Sequence, residues 1–75
     1  MTEYDNYFQA AAILVVQRQM SNTSLIQRKF RIGYNRAARI VDDLESSGLI
    51  GPSEGSKPRE VLMTESQYHE MVANL

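Results

Sequence analysis

The spacing of apolar residues predicts a first helix near the start of the chain. The segment Asn6–Gln19 contains the run AAAILVV, and Asp5 stands where it can cap the first turn. The β-branched residues of this run also suit a strand, but the alanines, the length and the capping Asp5 favour a helix. Residues 1–4 are then a short tail. The apolar face of this helix is formed by Phe8, Ala12 and Val15.

A second, shorter helix follows the turn MSNTS. Asn22 is its predicted N-cap, and we expect it to end at Lys29 or Phe30. Gly33 then breaks the pattern, and we expect it to supply either a positive φ or a close packing point between two helices. The core-facing residues of the second helix are Leu25, Ile26 and Phe30.

The third helix shows the clearest amphipathic pattern. It is predicted from Tyr34 to Ser47, and Gly48 has the C′ position that commonly ends a helix. Apolar residues at offsets of 0, 3, 4 and 7 lie on one helical face. They are Ala37, Ile40, Val41 and Leu44.

After the third helix the pattern changes to short extended segments. The sequences LIG and REVLM predict two short strands around the loop PSEGSKP, in which Pro52 and Pro58 disfavour regular ladder positions. Thr64 and Gln67 then form a capping-box pattern for a last helix to about Asn74. The order predicts an α+β, mostly helical fold, namely a winged helix-turn-helix with three helices, a two-stranded wing hairpin and a C-terminal helix.

The corresponding domain organisation has three parts. Residues 1–4 are the N-terminal tail, residues 5–63 form the winged-helix domain, and residues 64–75 form a C-terminal helical extension.

Charge is segregated along the chain. The 75 residues carry a formal net charge of −1, yet no acid occurs between Asp5 and Asp42. Such separation creates a local positive field on an otherwise acidic domain, as expected of a surface that meets a polyanion. The cations of this interval are Arg18, Arg28, Lys29, Arg31, Arg36 and Arg39.

The exposed face of the third helix carries side chains that can read DNA bases. In a helix-turn-helix the first turns of the second motif helix reach base edges, where Arg pairs with guanine and Asn with adenine. Base-reading candidates are Asn35, Arg36 and Arg39, and Tyr34 can place its hydroxyl on a phosphate. The other predicted DNA contacts are Arg28, Lys29 and Arg31 near the turn and Lys57 and Arg59 on the wing.

Simpler roles exist for the same residues. An arginine-rich helix face is most often a solvated surface, Arg39 can pair with Asp42 or Asp43, and Tyr34 can pack over the turn.

Composition argues against catalysis and membrane insertion. The chain has no Cys and one His, His69, which we expect on the surface of the last helix. The loop GPSEGSK lacks the spacing of a phosphate-binding loop. We therefore expect no enzyme activity, metal or cofactor. The longest apolar run, seven residues, is too short to span a bilayer. The absence of Cys fits a reducing cytosol, so we expect a cytoplasmic domain.

The segment SLIQRKFRIGYNRAARIVDDLESSGLIGPSEGSKPREVL resembles the gamma domain of FtsK/SpoIIIE-type bacterial DNA translocases, and the likeness extends from about Asp5 to Leu62. The resemblance implies a winged helix that binds short, G-rich, polar chromosomal octamers and thereby orients a translocase motor. It implies base reading by Asn35, Arg36 and Arg39, with support from Arg28 and the wing. It further implies contact with a XerD-type recombinase, for which we expect a surface around Asp42 and Asp43.

Two features depart from the family pattern. No Walker motif precedes the domain, and the ending TESQYHEMVANL is not typical of the family. The sequence thus fits either an excised domain or a stand-alone protein of a mobile element. Two other functions remain open. One is a small dimeric regulator that binds a palindrome and dimerises through the helix after Glu65. The other is a protein-interaction module whose basic face docks an acidic partner.

Overall fold

The computed structural model describes residues 4–55 and 57–74. Four helices follow one another: α1 Phe8–Arg18, α2 Thr23–Phe30, α3 Tyr34–Ser46 and α4 Glu65–Ala73. The helical part of the fold prediction is confirmed. No helix within the described ranges is long and apolar enough to cross a membrane.

Helix α1 begins two residues later than predicted, because Asp5 does not cap it. The Asp5 carboxylate accepts a hydrogen bond from the backbone N–H of Tyr7 and is otherwise bound to Arg36. Tyr7 is the N-cap residue and makes no side-chain cap bond. The helix ends at Arg18 because Gln19 adopts a left-handed conformation with φ 53°. Its predicted helical character is confirmed, and Ala12 and Val15 of the predicted face are fully buried.

The turn between α2 and α3 differs from the prediction in the residue that bears the positive φ. Asn22 caps α2 as predicted, accepting a hydrogen bond from Leu25 N at 2.7 Å. Arg31, with φ 54°, is the left-handed residue that ends α2. Gly33 has φ −70° and is the N-cap of α3, and a Cβ there would meet no atom within 4 Å. The expectation that Gly33 supplies a positive φ or close packing is therefore wrong.

Helix α3 ends in a Schellman motif. Gly48 takes φ 82° and donates to the Glu45 carbonyl, while Leu49 N donates to the Leu44 carbonyl, both at 3.0 Å. These bonds satisfy carbonyls that the end of the helix leaves unpaired. The predicted apolar face of α3 is confirmed. Its residues Ala37, Ile40, Val41 and Leu44 are at most 1% exposed.

The two segments predicted as strands are extended and paired, but only through isolated antiparallel bridges. Ile50 pairs with Val61, and Gly51 N donates to the Glu60 carbonyl at 2.8 Å. A further bridge joins Arg59 to Ser21, the residue before the α2 cap. Leu62 N also donates to the Leu49 carbonyl at 2.9 Å, and an isolated bridge joins Glu54 to Lys57 nearer the loop tip. Pro52 and Pro58 lack the backbone N–H that a continuous ladder between these bridges would need. A complete two-stranded hairpin is not formed by the described residues.

Helix α4 carries the predicted capping box, in which Thr64 and Gln67 bond each other's backbone N–H groups. It packs against α1, and Tyr68 is buried in the same core cluster as the α1–α3 side chains. Burial raises the pKa of the Tyr68 phenol. His69 is exposed, as predicted, 3.5 Å from the Glu65 carboxylate. Through these contacts α4 packs on α1 and covers part of the hydrophobic core.

Candidate nucleic-acid interface

The first two turns of α3 present an exposed polar face. Asn35 and Arg39 are both exposed and lie four residues apart, so they occupy the same side of the helix. Tyr34, the first residue of α3, is 62% exposed, which argues against the alternative that its ring packs over the turn. The buried face of α3 fixes the direction in which these side chains point. They form an accessible set with one donor–acceptor amide, one guanidinium and one phenol.

Arg36 lies beside this set but is already engaged by the N-terminal segment. Its Nε and Nη2 donate to the two carboxylate oxygens of Asp5 at 2.7 and 3.0 Å. The guanidinium also lies 4.9 Å from the centre of the Tyr7 ring. The hydrogen bonds from Arg36 and from the Tyr7 backbone hold the pKa of Asp5 below its ordinary value, and the bond to Asp5 raises the pKa of Arg36. The Arg36 side chain remains 40% exposed.

The cations before α3 surround the turn. Arg28 and Lys29 are exposed in the last turn of α2, and Arg31 is exposed in the turn itself. Cations in the last turn of a helix also interact favourably with the partial negative charge of the helix C-terminus, which gives Arg28 and Lys29 a structural role as well. Arg28 Nε makes a long contact of 3.4 Å to the Ser24 carbonyl. All three are exposed to solvent next to the start of α3.

The two cations of the loop have different environments. Lys57 is exposed. Arg59 forms an ion pair with Glu45 at 2.5 Å, and its side chain is only 17% exposed. The sequence suggested the same role for both residues, but their surroundings suit Lys57 better for contact with a ligand.

Acids occupy the second half of α3. Asp42 is exposed and Asp43 is half-buried. Within the described ranges, the ion pairs are Arg36–Asp5, Arg59–Glu45 and His69–Glu65, and Arg39 takes part in none of them. The alternative role of Arg39 as a partner of Asp42 or Asp43 is therefore not observed.

The sequence analysis missed the contribution of the N-terminal segment. Tyr7 stacks on Phe30 with ring centres 4.8 Å apart, and Tyr4 stacks on Phe8 at 4.1 Å. Together with the Asp5–Arg36 pair, these contacts join the segment before α1 to α2 and α3. The aromatic residues around Asp5 in YDNYF indicate that this segment packs against something. Phe30 and Arg36, which it contacts, lie too far along the chain to be predicted from the local sequence pattern.

No other described region competes as a site for chemistry. Groups of three or more His, Cys, Asp or Glu side chains that could hold a metal are absent from residues 4–55 and 57–74. A mainly apolar groove of about 660 Å³ lies between the N-terminal segment, Leu49 and α4. None of the candidate DNA-contacting side chains lines it.

Together, the joined helices α2 and α3, the exposed polar start of α3 and the surrounding cations define a small helix-turn-helix domain with a basic face. Residues 2–64 match the family described as the Ftsk gamma domain, and the chain belongs to that family. The resemblance noted in the sequence is thus confirmed.

Curated relatives give the same result. The chain is 56% identical over 62 residues to DNA translocase FtsK of Lactiplantibacillus plantarum, 53% over 66 residues to DNA translocase FtsK of Listeria monocytogenes, and 49% over 67 residues to DNA translocase SpoIIIE of Bacillus subtilis. These alignments cover 83%, 88% and 89% of this chain but only 8–9% of each relative. The chain therefore corresponds to a small part of the length of these translocases.

Proposed function

We propose that this domain binds double-stranded DNA by placing the start of α3 in the major groove, where Asn35 and Arg39 read base edges. The observation that carries the proposal is the exposure of these two side chains, one helical turn apart, on a helix whose opposite face is buried in the core. Arg donates two hydrogen bonds to guanine, and Asn both donates to and accepts from adenine. Each such pair contributes about 1–3 kcal/mol of discrimination between bases.

Phosphate contacts come from the residues around this pair. Tyr34 begins α3, and Arg28, Lys29 and Arg31 are exposed on the adjoining end of α2 and the turn. The segment from Leu49 to Leu62 acts as a wing, with Lys57 supplying a cation to the backbone of the duplex. These contacts position the domain and make its affinity depend on salt.

The preferred site is a short, G-rich, polar sequence, as the resemblance implies. The relatives that match this chain are named as DNA translocases, which supports a role in orienting a translocating motor during chromosome segregation. One small module buries about 600–1,000 Å² on DNA, so we expect the free domain to bind with a Kd of about 1 μM or weaker. Tethering several copies to one motor would raise the effective concentration without any new contact.

A XerD-type recombinase is the proposed protein partner. Asp42 and Asp43 lie beyond the base-reading turns of α3, and Asp42 is exposed while Asp43 is half-buried. The packing of Tyr68 into the core leaves less of α4 for the dimer surface that a small regulator would need. The compartment that this function requires is the cytoplasm, where the chromosome lies.

Fluorescence anisotropy tests the proposal directly. A labelled duplex that contains a G-rich octamer is titrated with the domain beside a scrambled duplex of the same composition, at two salt concentrations. Tighter binding to the G-rich duplex is expected, with weaker binding to both at higher salt. Equal affinity for the two duplexes would refute base reading of this site. Absence of binding at low salt would refute the DNA interface and favour an acidic protein partner for the basic face.

A further inference from the structure

The fold brings one carboxylate into the basic face. Asp5 is separated from Arg36 by 31 positions in sequence, yet both of its oxygens accept hydrogen bonds from that side chain. The Asp5 side chain is only 19% exposed. Arg39 also contributes to the low pKa of Asp5 through its charge. An acid at a DNA-binding surface weakens phosphate attraction.

The contacts of Arg36 leave it little freedom. Asp5 occupies the edge formed by Nε and Nη2, and the guanidinium carbon lies over the Tyr7 ring. Tyr7 is itself held by stacking on Phe30 of α2. An unpaired arginine at this position would be free to swing toward any phosphate, because its long side chain has many rotamers. The observed pairing favours the orientation in which both Nε and Nη2 donate to Asp5.

We propose that Asp5 is a specificity-determining residue that holds Arg36, over Tyr7, away from general phosphate contacts. This inference rests on the proposed function. Asp5 lowers the affinity for arbitrary DNA, and it fixes Arg36 in place beside Asn35 and Arg39. Both effects increase the ratio of specific to non-specific affinity. Asp5 and Tyr7 act through Arg36 and are positioning residues; they need not touch DNA themselves.

The test compares Asp5→Asn with the unchanged domain on the G-rich and scrambled duplexes across a salt series. Without its carboxylate partner, Arg36 should gain one phosphate contact. For the scrambled duplex, the slope of log association constant against log salt concentration should therefore become steeper by about 0.9. Affinity for that duplex should rise about threefold or more at about 0.1 M salt. Discrimination between the duplexes should fall correspondingly.

Matched variants separate this effect from simple loss of charge or structure. Glu70→Gln removes one exposed acid from α4 and should change neither the slope nor the discrimination. Asp5→Glu keeps the carboxylate and should restore most of the discrimination. In an Arg36→Gln background, Asp5→Asn should no longer steepen the salt dependence, because the residue that it releases is missing.

The outcomes are distinct. If the unchanged domain binds both duplexes equally, the proposed base reading fails and this inference fails with it. If the unchanged domain discriminates but Asp5→Asn discriminates equally well, only the inference is overturned. A parallel loss of affinity for both duplexes by Asp5→Asn would assign Asp5 a structural role alone and would also overturn it.

Discussion

Arg59 and Glu45 form an ion pair that joins the returning segment of the loop to the last turns of α3. The guanidinium nitrogen Nη1 lies 2.5 Å from the carboxylate, and the Arg59 side chain is largely covered. The backbone N–H of Arg59 donates to the Ser21 carbonyl at 2.7 Å, so the same residue is also tied to the start of α2. Arg59 thus connects three parts of the domain, whereas Lys57, two residues earlier, is exposed.

This difference predicts opposite phenotypes for two neighbouring cations. Lys57→Ala should reduce the salt slope of DNA binding by about 1, the loss of one phosphate contact, and leave the melting temperature unchanged. Arg59→Ala should lower the melting temperature and change the salt slope little. Thermal denaturation and a salt series measure both. An Arg59→Ala domain that keeps its stability but loses a phosphate contact would show that the ion pair gives way to DNA.

The Asp5–Arg36 pair predicts a dependence of stability on acid. Because the pKa of Asp5 in the folded domain lies below its ordinary value of 3.8, the ionised pair stabilises the fold above that value. This contribution is lost as the pH falls from about 4 through the lowered pKa. The free energy of unfolding, measured with urea, should fall less between neutral and acidic pH for Asp5→Asn than for the unchanged domain. Identical decreases would mean that other carboxylates account for the acid sensitivity.

Two glycines should respond in opposite ways to substitution. Gly33 is an N-cap with extended backbone and open space around it, so Gly33→Ser should add a capping hydrogen bond and about a few tenths of a kcal/mol of stability. Gly33→Ala, which has no hydroxyl, is its control and should not gain this stability. Gly48 has φ 82°, so Gly48→Ala should cost about 1 kcal/mol or more. Urea midpoints measure all three, and a stabilised Gly48→Ala would contradict the left-handed backbone at that position.

Removal of the Ser21 hydroxyl should not destabilise the domain. Its side chain is fully buried, and its Oγ has no hydrogen-bond partner among the described residues. Because a buried, unpaired hydroxyl is costly, Ser21→Ala should leave stability unchanged or raise it by up to about 1 kcal/mol. Exposed Ser24→Ala, the control, should stay within about 0.5 kcal/mol. A loss of more than about 1 kcal/mol in Ser21→Ala would indicate a buried water bound to this hydroxyl.

Local features of the fold were predictable because the responsible interactions are local. Hydrogen bonds to residues within a few positions begin α2 at Asn22, begin α4 at the Thr64–Gln67 pair and end α3 at Gly48. The core face of α3 follows from helical periodicity. The positive φ at Arg31 was not predictable in the same way. A nearby glycine suggested the wrong position, whereas Arg31 itself adopts the left-handed conformation and its backbone N–H donates to the Gln27 carbonyl.

Long-range partners explain the remaining differences. Asp5 was expected to cap α1, but its carboxylate accepts from the Tyr7 backbone N–H and from an arginine 31 positions later, and the helix begins only at Phe8. Likewise, the extended segment at Ser21 was not recognised, since one residue has no periodicity to detect. The exposed residues Asn35 and Arg39 were placed on the outer face of α3 by pattern alone, because the opposite face was so clearly apolar.

The most direct test of the central claim compares Arg39→Ala with Arg18→Ala in the anisotropy assay. Both variants remove one exposed arginine from a helix, but Arg18 lies at the end of α1, outside the candidate interface. The account predicts that Arg39→Ala loses about 1–3 kcal/mol of preference for the G-rich duplex over the scrambled one, whereas Arg18→Ala keeps that preference. Equal preference in both variants would contradict base reading by α3.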